Sequence, residues 1–140
     1  MMQQKIGEIS VKTSGRRLYE ITEPVSRWLF DRPVETGLLT LYIQHTSASL
    51  LIQENADREV LHDLERFFDR LVPQGDPLFH HTTEGPDDMP AHVRSALTSV
   101  SLSIPVRNGN LALGTWQGVF LYEHRTMGHS RTILLHLIGE

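Results

Sequence analysis

The sequence predicts a single α+β domain, residues 1–140, with a mostly antiparallel β-sheet and two to three helices. Three observations support this fold class. Strand-like segments outnumber helical ones, and the last third of the chain contains only strand-like segments. The helical segments do not alternate regularly with strands, as they would around a parallel sheet. A length of 140 residues is typical of one domain with its own core.

The first predicted elements are two strands and a helix. Lys5–Thr13 and Arg17–Thr22 read as strands, and Ser14-Gly15 between them predicts a turn that pairs them. A helix then begins at Thr22, whose hydroxyl is suited to cap it, with Pro24 in the first turn. Arg32-Pro33 ends this helix. Its apolar face consists of Val25, Trp28 and Leu29.

The middle of the chain predicts a central strand and the longest helix. Gly37–Gln44 is apolar on both faces, as a central strand would be. His45-Thr46-Ser47 interrupts it, and Ala48–Gln53 continues as a strand. A helix over Asp57–Leu71 follows, because its apolar residues recur with helical spacing. These residues are Val60, Leu61, Leu64, Phe67, Phe68 and Leu71.

A long loop, a second helix and a hairpin complete the prediction. Val72–Asp87 has no periodicity, and so long a loop in a compact domain is more often functional than not. Asp88 and Pro90 open a helix. Asn108-Gly109 predicts a tight hairpin turn before the closing strands. The residues of this second helix expected to point inward are Val93, Ala96, Leu97 and Val100.

Composition excludes several classes of function. The net charge is −4, and no basic run with interleaved aromatic residues is present, so nucleic acid is not an expected partner. The chain has no cysteine, so any metal must be bound through nitrogen and oxygen. No segment is apolar enough for a membrane helix or a secretory signal, which leaves the cytoplasm as the expected location.

The stretch Phe79–His92 is the expected centre of the chemistry, since it concentrates histidines and carboxylates with few apolar residues. His45 follows a strand, His81 lies in the long loop and His92 begins a helix. Element ends of this kind can converge in a fold, and three imidazoles without a thiolate would suit zinc with an open position for water. The alternative is that each histidine is an ordinary surface or hydrogen-bonded residue.

The carboxylates and arginines divide between functional and structural interpretations. Glu84 is separated from the next helix by Gly85-Pro86, so it is not placed to cap that helix. We therefore prefer a functional role for Glu84, in proton transfer. For Asp88, capping is the preferred interpretation. Arg125 and Arg131 would hold a phosphate or carboxylate near a metal pocket, with surface ion pairing as the alternative. Nucleophilic catalysis by a serine is disfavoured, because no strand-turn-helix serine motif is present.

Several blocks in order along the chain resemble the YjbQ-like family, whose members are often called secondary thiamine-phosphate synthases. The blocks are His45-Thr46-Ser47-Ala48, Glu54-Asn55, Glu84 through His92, Leu113 through Gly118, and Glu123-His124-Arg125. The resemblance implies an antiparallel α+β fold, a homotrimer, and a metal ion, often zinc, at His45, His81 and His92. Members often carry an acidic or amide residue at position 82, where this chain has Thr82.

The resemblance and the residues together define the expected function. We expect a metal-dependent enzyme acting on a small phosphorylated or anionic metabolite, with thiamine-phosphate synthesis as a secondary reaction. The metal would be zinc, with magnesium as the alternative for a diphosphate substrate. Glu84 and Glu123 would act in catalysis, while Ser47, Arg125 and Arg131 would bind the substrate. The alternative is a non-catalytic trimer that binds a metal or a metabolite.

Overall fold

The computed structural model describes residues 1–140 and contains eight strands and three helices. In chain order the elements are β1 (Gln3–Lys12), β2 (Arg17–Glu20), α1 (Thr22–Phe30), β3 (Thr36–Ile43), β4 (Ala48–Glu54), α2 (Arg58–Leu71), α3 (Asp88–Leu97), β5 (Ser101–Arg107), β6 (Asn110–Leu111), β7 (Gln117–Glu123) and β8 (Ser130–Gly139). The predicted α+β class is confirmed. No helix is long and apolar enough to cross a membrane.

The strands form two antiparallel sheets around one core. The five-stranded sheet has the order β1-β8-β3-β5-β6, and the three-stranded sheet has the order β2-β7-β4. Alternate residues of β3 and β8 point inward and meet the inner residues of β4 and β7, and α1 closes the core. The core residues from these five elements are Val25, Leu29, Leu39, Leu41, Leu50, Val119, Leu121, Ile133 and Leu135, all at most 2% exposed.

The predicted pairing of the first two strands is wrong. Strand β1 pairs with β8, at the far end of the sequence, and β2 pairs with β7 in the other sheet. The segment between them therefore carries the chain from one sheet to the other. The same crossing occurs between β3 and β4 and between β7 and β8. A turn signal such as Ser14-Gly15 indicates a change of direction but does not determine the partner strand.

Helix α2 packs on the outer face of the three-stranded sheet. Leu61, Leu64 and Phe68 contact a small cluster made by Leu18, Phe120 and Tyr122. Only part of the predicted apolar stripe of α2 is therefore buried, because Phe67 and Leu71 remain about half exposed. The Asp57 side chain caps the helix by accepting the N–H of Glu59 at 2.9 Å.

The outer face of the five-stranded sheet is left without a covering layer. Ile6, Leu38 and Tyr42 on this face are between 39% and 67% exposed. The tight hairpin between β5 and β6 is confirmed, since Asn108 and Gly109 adopt φ angles of 53° and 77°. The predicted Thr22 cap is wrong: the helix has no side-chain cap, and the Thr22 hydroxyl donates to Glu20 Oε2 at 2.8 Å.

Candidate metal centre

Three side chains converge where the long loop meets α3. His81, Asp88 and His92 each offer one potential metal-ligating atom, and these atoms lie within 4.8 Å of one another. Asp88 Oδ2 is 2.8 Å from His81 Nε2 and 3.2 Å from His92 Nε2. Asp88 is 2% exposed, whereas the histidines are reached from solvent. Two imidazoles and a carboxylate therefore share one partly open position.

The local sequence explains this convergence. Asp88 and His92 are four residues apart on α3, so they project from the same side of the helix. Gly85 adopts a φ of 101°, a conformation that turns the loop sharply before the helix. The N–H of Asp88 donates to the Gly85 carbonyl at 3.4 Å, and His81 lies on the other side of this turn. The turn therefore returns the loop toward the first turn of α3.

The orientation of His92 determines which of its ring nitrogens carries a hydrogen. Its Nδ1 lies 3.1 Å from the Thr46 carbonyl oxygen, which can only accept, so Nδ1 is the donor. In the neutral ring Nε2 then bears a lone pair, and that lone pair faces the Asp88 carboxylate. A lone pair and an anion repel unless a positive charge lies between them. The geometry therefore requires either a second proton on His92 or a cation at the shared position.

Arg125 fixes both aspartates at the start of α3. Its Nη1 is 2.9 Å from Asp88 Oδ1, and its Nε donates to Asp87 Oδ2 at 2.9 Å. Burial raises the pKa of Asp87, but the bonds from Arg125 and Thr126 outweigh it and lower the pKa to about 2. Burial likewise opposes ionisation of Asp88, yet His81, His92 and Arg125 lower its pKa overall. Both groups are therefore carboxylates at neutral pH.

A second buried ion pair stands next to this cluster. Glu123, fully buried, binds the Arg131 guanidinium and also accepts from Thr13 Oγ1 at 2.6 Å and from the Arg125 N–H at 3.1 Å. Burial raises its pKa, but Arg131 and Thr13 lower it overall. The buried carboxylates Asp87, Asp88 and Glu123 outnumber the two guanidinium groups by one negative charge. The electrostatic environment therefore favours a cation at the shared position.

His45 lies outside the group that contains His81 and His92, so the structure does not bring the three predicted histidines together. Its Nε2 accepts the N–H of Thr132 at 2.8 Å, and Nδ1 faces Arg131 at 3.4 Å. Burial, together with Arg131, lowers the pKa of His45 and keeps the ring neutral. The third member is Asp88. The preferred interpretation of Asp88 as a helix cap is wrong, because α3 has no side-chain cap bond. Its carboxylate contacts the two imidazoles and Arg125 instead.

The other predicted site residues divide between the two ion pairs. Ser47 Oγ accepts from Arg131 at 3.0 Å, so Ser47, Glu123 and Arg131 form one bonded group. Arg125 joins the two aspartates, as described above. Glu84 is exposed; its carbonyl accepts from Arg125 at 2.9 Å, while its carboxylate has no hydrogen bond or ion pair. Of the expected catalytic acids, only Glu84 presents a free carboxylate.

A serine–histidine contact in the core resembles a nucleophilic pair but lacks its other requirements. Ser49 Oγ lies 2.8 Å from His124 Nε2, and both residues are at most 1% exposed. The His124 Nδ1 has no partner, so no acid orients the ring. No substrate reaches a pair buried this deeply. The geometry of this pair therefore gives no support to a serine nucleophile, which the sequence also disfavours.

A small cavity lies beside the cluster of His81, Asp88 and His92. It has a volume of about 240 Å³ and is lined by the long loop and the first turn of α3, including Phe79, His81, Thr82 and Met89. His81 forms part of the lining of this cavity. The loop Val72–Asp87, for which the sequence predicts a functional role, supplies most of its wall.

Comparison with known proteins assigns the chain to a family. The model of the family described as UPF0047 protein YjbQ-like matches residues 7–140. A UPF0047 protein of Synechocystis is 52% identical over 93% of this chain and 88% of its own length. The UPF0047 protein YjbQ of Escherichia coli O157:H7 is 47% identical over the full length of both chains.

Solved structures share the fold. A YbjQ-like protein of unknown function from Sulfolobus solfataricus superposes with a TM-score of 0.91 at 23% identity, covering 100% of both chains. A hypothetical protein from Aeropyrum pernix gives a TM-score of 0.88 at 31% identity, covering 97% of this chain and 99% of its own. Sequence and fold agree along the whole length, and the chain belongs to the YjbQ/UPF0047 family.

Proposed function

We propose that His81, Asp88 and His92 bind a divalent metal ion, zinc, and that the protein is a metal-dependent enzyme acting on a small anionic metabolite. The observation that carries the proposal is the His92 ring. The Thr46 carbonyl accepts from Nδ1 and directs Nε2 at Asp88 Oδ2, an arrangement that a cation between them would stabilise. This is the arrangement by which outer hydrogen bonds orient metal-binding histidines in proteins.

The donor set fits zinc. Two imidazole nitrogens and one carboxylate oxygen are a known catalytic zinc set, and they leave one position open. Magnesium prefers oxygen ligands and fits this set less well. When bound, zinc supplies Lewis acidity that polarises an oxygen of substrate or water. The protein contributes the excess negative charge, the cavity and the fixed orientation of the ligands.

The chain's own residues have separate tasks in this proposal. Glu84 moves protons, because its carboxylate is exposed and unpaired near the cluster. Arg125 positions Asp88, and Arg131 holds Glu123 and Ser47. An anionic substrate would reach either guanidinium group only by displacing a bound carboxylate. We therefore assign both arginines to holding the site, which revises the sequence-based expectation that they bind substrate.

Metal content tests the site directly. Protein purified without a chelating tag should contain about one zinc ion per chain. The variants His92→Ala and Asp88→Asn should lose the ion, whereas His80→Ala, an exposed histidine next to His81, should retain it. Arg125→Gln should weaken zinc affinity about 10- to 100-fold, the usual effect of removing an outer partner of a ligand. Full zinc content in His92→Ala and Asp88→Asn would refute the site.

We further propose that thiamine-phosphate synthesis, implied by the family resemblance, is a secondary reaction. Release of pyrophosphate is normally assisted by magnesium bound to oxygen ligands, whereas this cluster offers two nitrogens. Steady-state kinetics should give a kcat/KM below about 10⁴ M⁻¹s⁻¹, the low end for enzymes committed to a substrate. A higher value would make the synthase reaction the primary function.

A non-catalytic metal-binding protein is the second candidate function. The observation in its favour is that carboxylates already bind both arginines of the site. It predicts that the zinc-loaded protein turns over none of a panel of phosphate and carboxylate esters. Turnover that disappears in Glu84→Gln, with zinc content unchanged, would favour the enzyme instead.

We also propose that the protein is a homotrimer that buries the outer face of the five-stranded sheet. The exposed apolar side chains of Ile6, Leu38 and Tyr42 support this, because a charged surface would be expected on a face that stays in water. Light scattering should give three times the chain mass of 16.0 kDa. The variant Tyr42→Lys should shift the mass toward the monomer, and a monomeric wild type would refute the proposal.

A further inference from the structure

The small cavity beside the cluster of His81, Asp88 and His92 differs from that cluster in charge. We call it the loop cavity, because most of its wall comes from the loop before α3. Its lining contains no lysine or arginine, and Asp76 is its only carboxylate. Asp76 Oδ1 accepts the N–H of Leu78 at 2.9 Å, so this carboxylate binds its own loop. An anionic group would find no cation in the loop cavity, and Asp76 would repel it.

The wall of the loop cavity offers apolar surface that a ligand can reach. Phe79 from the loop and Met89 from the first turn of α3 line it, together with Pro86 and Pro90. Phe79 and Met89 are partly exposed and Pro86 is exposed, so all three present surface for contact. An uncharged apolar group bound there gains free energy in proportion to the surface that it removes from water.

The volume of the loop cavity limits the size of that group. An apolar void of roughly 150 Å³ is enough to hold benzene. At about 240 Å³, the loop cavity has room for one six-membered ring with a short linker. Gly75 leaves one side of the cavity open, since a Cβ built on it would meet no atom within 4 Å. The group that fits is therefore a single ring or a branched alkyl group of similar size.

His81 joins the loop cavity to the candidate metal cluster. The Nε2 end of its ring lies 2.8 Å from Asp88 Oδ2, and the same ring lines the cavity. Met89 and Pro90 lie between Asp88 and His92 in the sequence, so one turn of α3 supplies residues to both places. Asp88 and His92 do not themselves line the cavity. A ligand that occupies both places therefore passes along the His81 ring.

We propose that the loop cavity binds the apolar part of the substrate whose anionic group binds at the metal cluster. The substrate is a small organic anion with a body of one ring or one branched alkyl group. This inference rests on the proposed function and names the substrate class of the same site. A substrate with a second charge on its apolar body is excluded, because the cavity has no cation to pair with that charge.

Calorimetric titration of the zinc-loaded full chain with hydroxamates tests the proposal, because the hydroxamate group binds zinc whatever its substituent. Acetohydroxamate measures the metal site alone. Benzohydroxamate, phenylacetohydroxamate and phenylpropionohydroxamate add a ring on linkers of increasing length, which allows for the breadth of the His81 ring. The tightest of the three should bind at least about tenfold more tightly than acetohydroxamate, the effect of burying roughly 60 Å² of apolar surface. A carboxylate in the para position of its ring should abolish this gain.

Variants of the wall locate the gain. Phe79→Ala and Met89→Ala should each remove most of the gain from the ring, while the affinity for acetohydroxamate stays at the wild-type value. Leu78→Ala is the matched control, because Leu78 is 77% exposed and does not line the cavity, and it should keep the full gain.

The outcomes separate this inference from the metal site on which it rests. Equal affinity of wild type for acetohydroxamate and for all three ring compounds would overturn the inference and leave the metal site intact. A gain that survives in both Phe79→Ala and Met89→Ala would also overturn it, since the ring would then bind elsewhere. Failure of every hydroxamate to bind would contradict the metal site itself, and the inference would fall with it.

Discussion

The Thr46 carbonyl determines the orientation of the His92 ring and which ring nitrogen donates a hydrogen. A histidine free to rotate presents either nitrogen, but this ring has one orientation and one tautomer while the carbonyl accepts from Nδ1. Thr46 lies in the segment that connects β3 to β4, so the His92 ring on α3 is held from outside its own helix. If the proposed metal binds, we expect the ring to keep this orientation with and without it.

Sequence reasoning predicts two of the three side chains that converge, His81 and His92, and names His45 where the structure has Asp88. His81, His92 and Glu84 were recognised because a loop rich in histidine and acid has no structural explanation. Asp88 was interpreted as a cap because its position before an apolar run fits that role equally well. What distinguishes ligand from cap is the contact with His81 across the turn at Gly85, and a contact of this kind has no fixed spacing in sequence.

His124 should make stability depend on pH. Burial, with Arg94 nearby, lowers its pKa to about 3 in the folded protein, against 6.5 in the unfolded chain. Between these values only the unfolded chain takes up the proton, so the free energy of unfolding falls as the pH falls. Lowering the pH from 6.5 to 4.5 should cost about 2 kcal/mol through this residue alone.

Urea unfolding of wild type and His124→Asn at both pH values measures the effect. The variant should be less stable at pH 6.5 but should lose about 2 kcal/mol less than wild type on acidification. His136→Asn is the control, because His136 lies on the outer face of β8 and bonds to Gln4 at 2.9 Å. Equal acid sensitivity in wild type and His124→Asn would show that His124 is not the group responsible.

Among the elements, α3 departs furthest from its sequence pattern. Val93, Ala96 and Leu97 were expected to face inward, yet Leu97 is 57% exposed and Ala96 is also exposed. The buried face carries Asp88 and Arg94 instead. Arg94 is 1% exposed and donates to the Val72 carbonyl at 3.1 Å. Ion pairs and contacts with backbone carbonyls stabilise these buried polar side chains. The spacing of apolar residues in the sequence does not predict such contacts.

The pairing of β3 with β8 depends on two facing glycines. Gly37 and Gly139 are partners in the ladder, and a Cβ added at Gly139 would lie 2.3 Å from the Thr36 carbonyl oxygen and 2.6 Å from Gly37 Cα. Both contacts are with backbone, which cannot move aside without disturbing the sheet. Gly139→Ala should therefore destabilise the protein by about 1–3 kcal/mol.

Thermal unfolding checks this expectation, with a fall in Tm of about 2–4 °C for each kcal/mol. Gly114→Ala is the matched control, because its added Cβ would meet only the Gln117 side chain, at 3.4 Å. The control should leave Tm within about a degree of wild type. A Gly139→Ala protein as stable as the control would contradict the prediction. It would mean that the backbone of β3 and β8 shifts to accommodate the methyl group at little cost in stability.

For the whole molecule, three of the crossings between sheets meet at one corner, namely β1 to β2, β3 to β4 and β7 to β8. Thr13, from the first crossing, bonds to Glu123 at the end of β7. Ser47, from the second, accepts from Arg131 and receives the N–H of His124 on its carbonyl at 3.2 Å. The candidate site lies beside this corner, since Arg125 extends from the third crossing to Asp87 and Asp88.

The elements of the fold followed from sequence, and their pairing did not. Periodicity and turn chemistry are local, so they located the strands, the hairpin at Asn108-Gly109 and the helix α2. The partners β1 with β8 and β2 with β7 are far apart in sequence, and the buried charges at the corner become neighbours only through those pairings. The site is thus a product of the topology more than of any one motif.

The position of β8 between β1 and β3 has a consequence for the rate of folding. Gln3 pairs with Gly139, and Gly37 pairs with the same residue from the other side. The five-stranded sheet therefore cannot close until almost the whole chain has been drawn into a single loop, whose entropy opposes the first contacts. We expect folding within about milliseconds to seconds, as in other proteins dominated by distant pairings, rather than microseconds as in helical bundles.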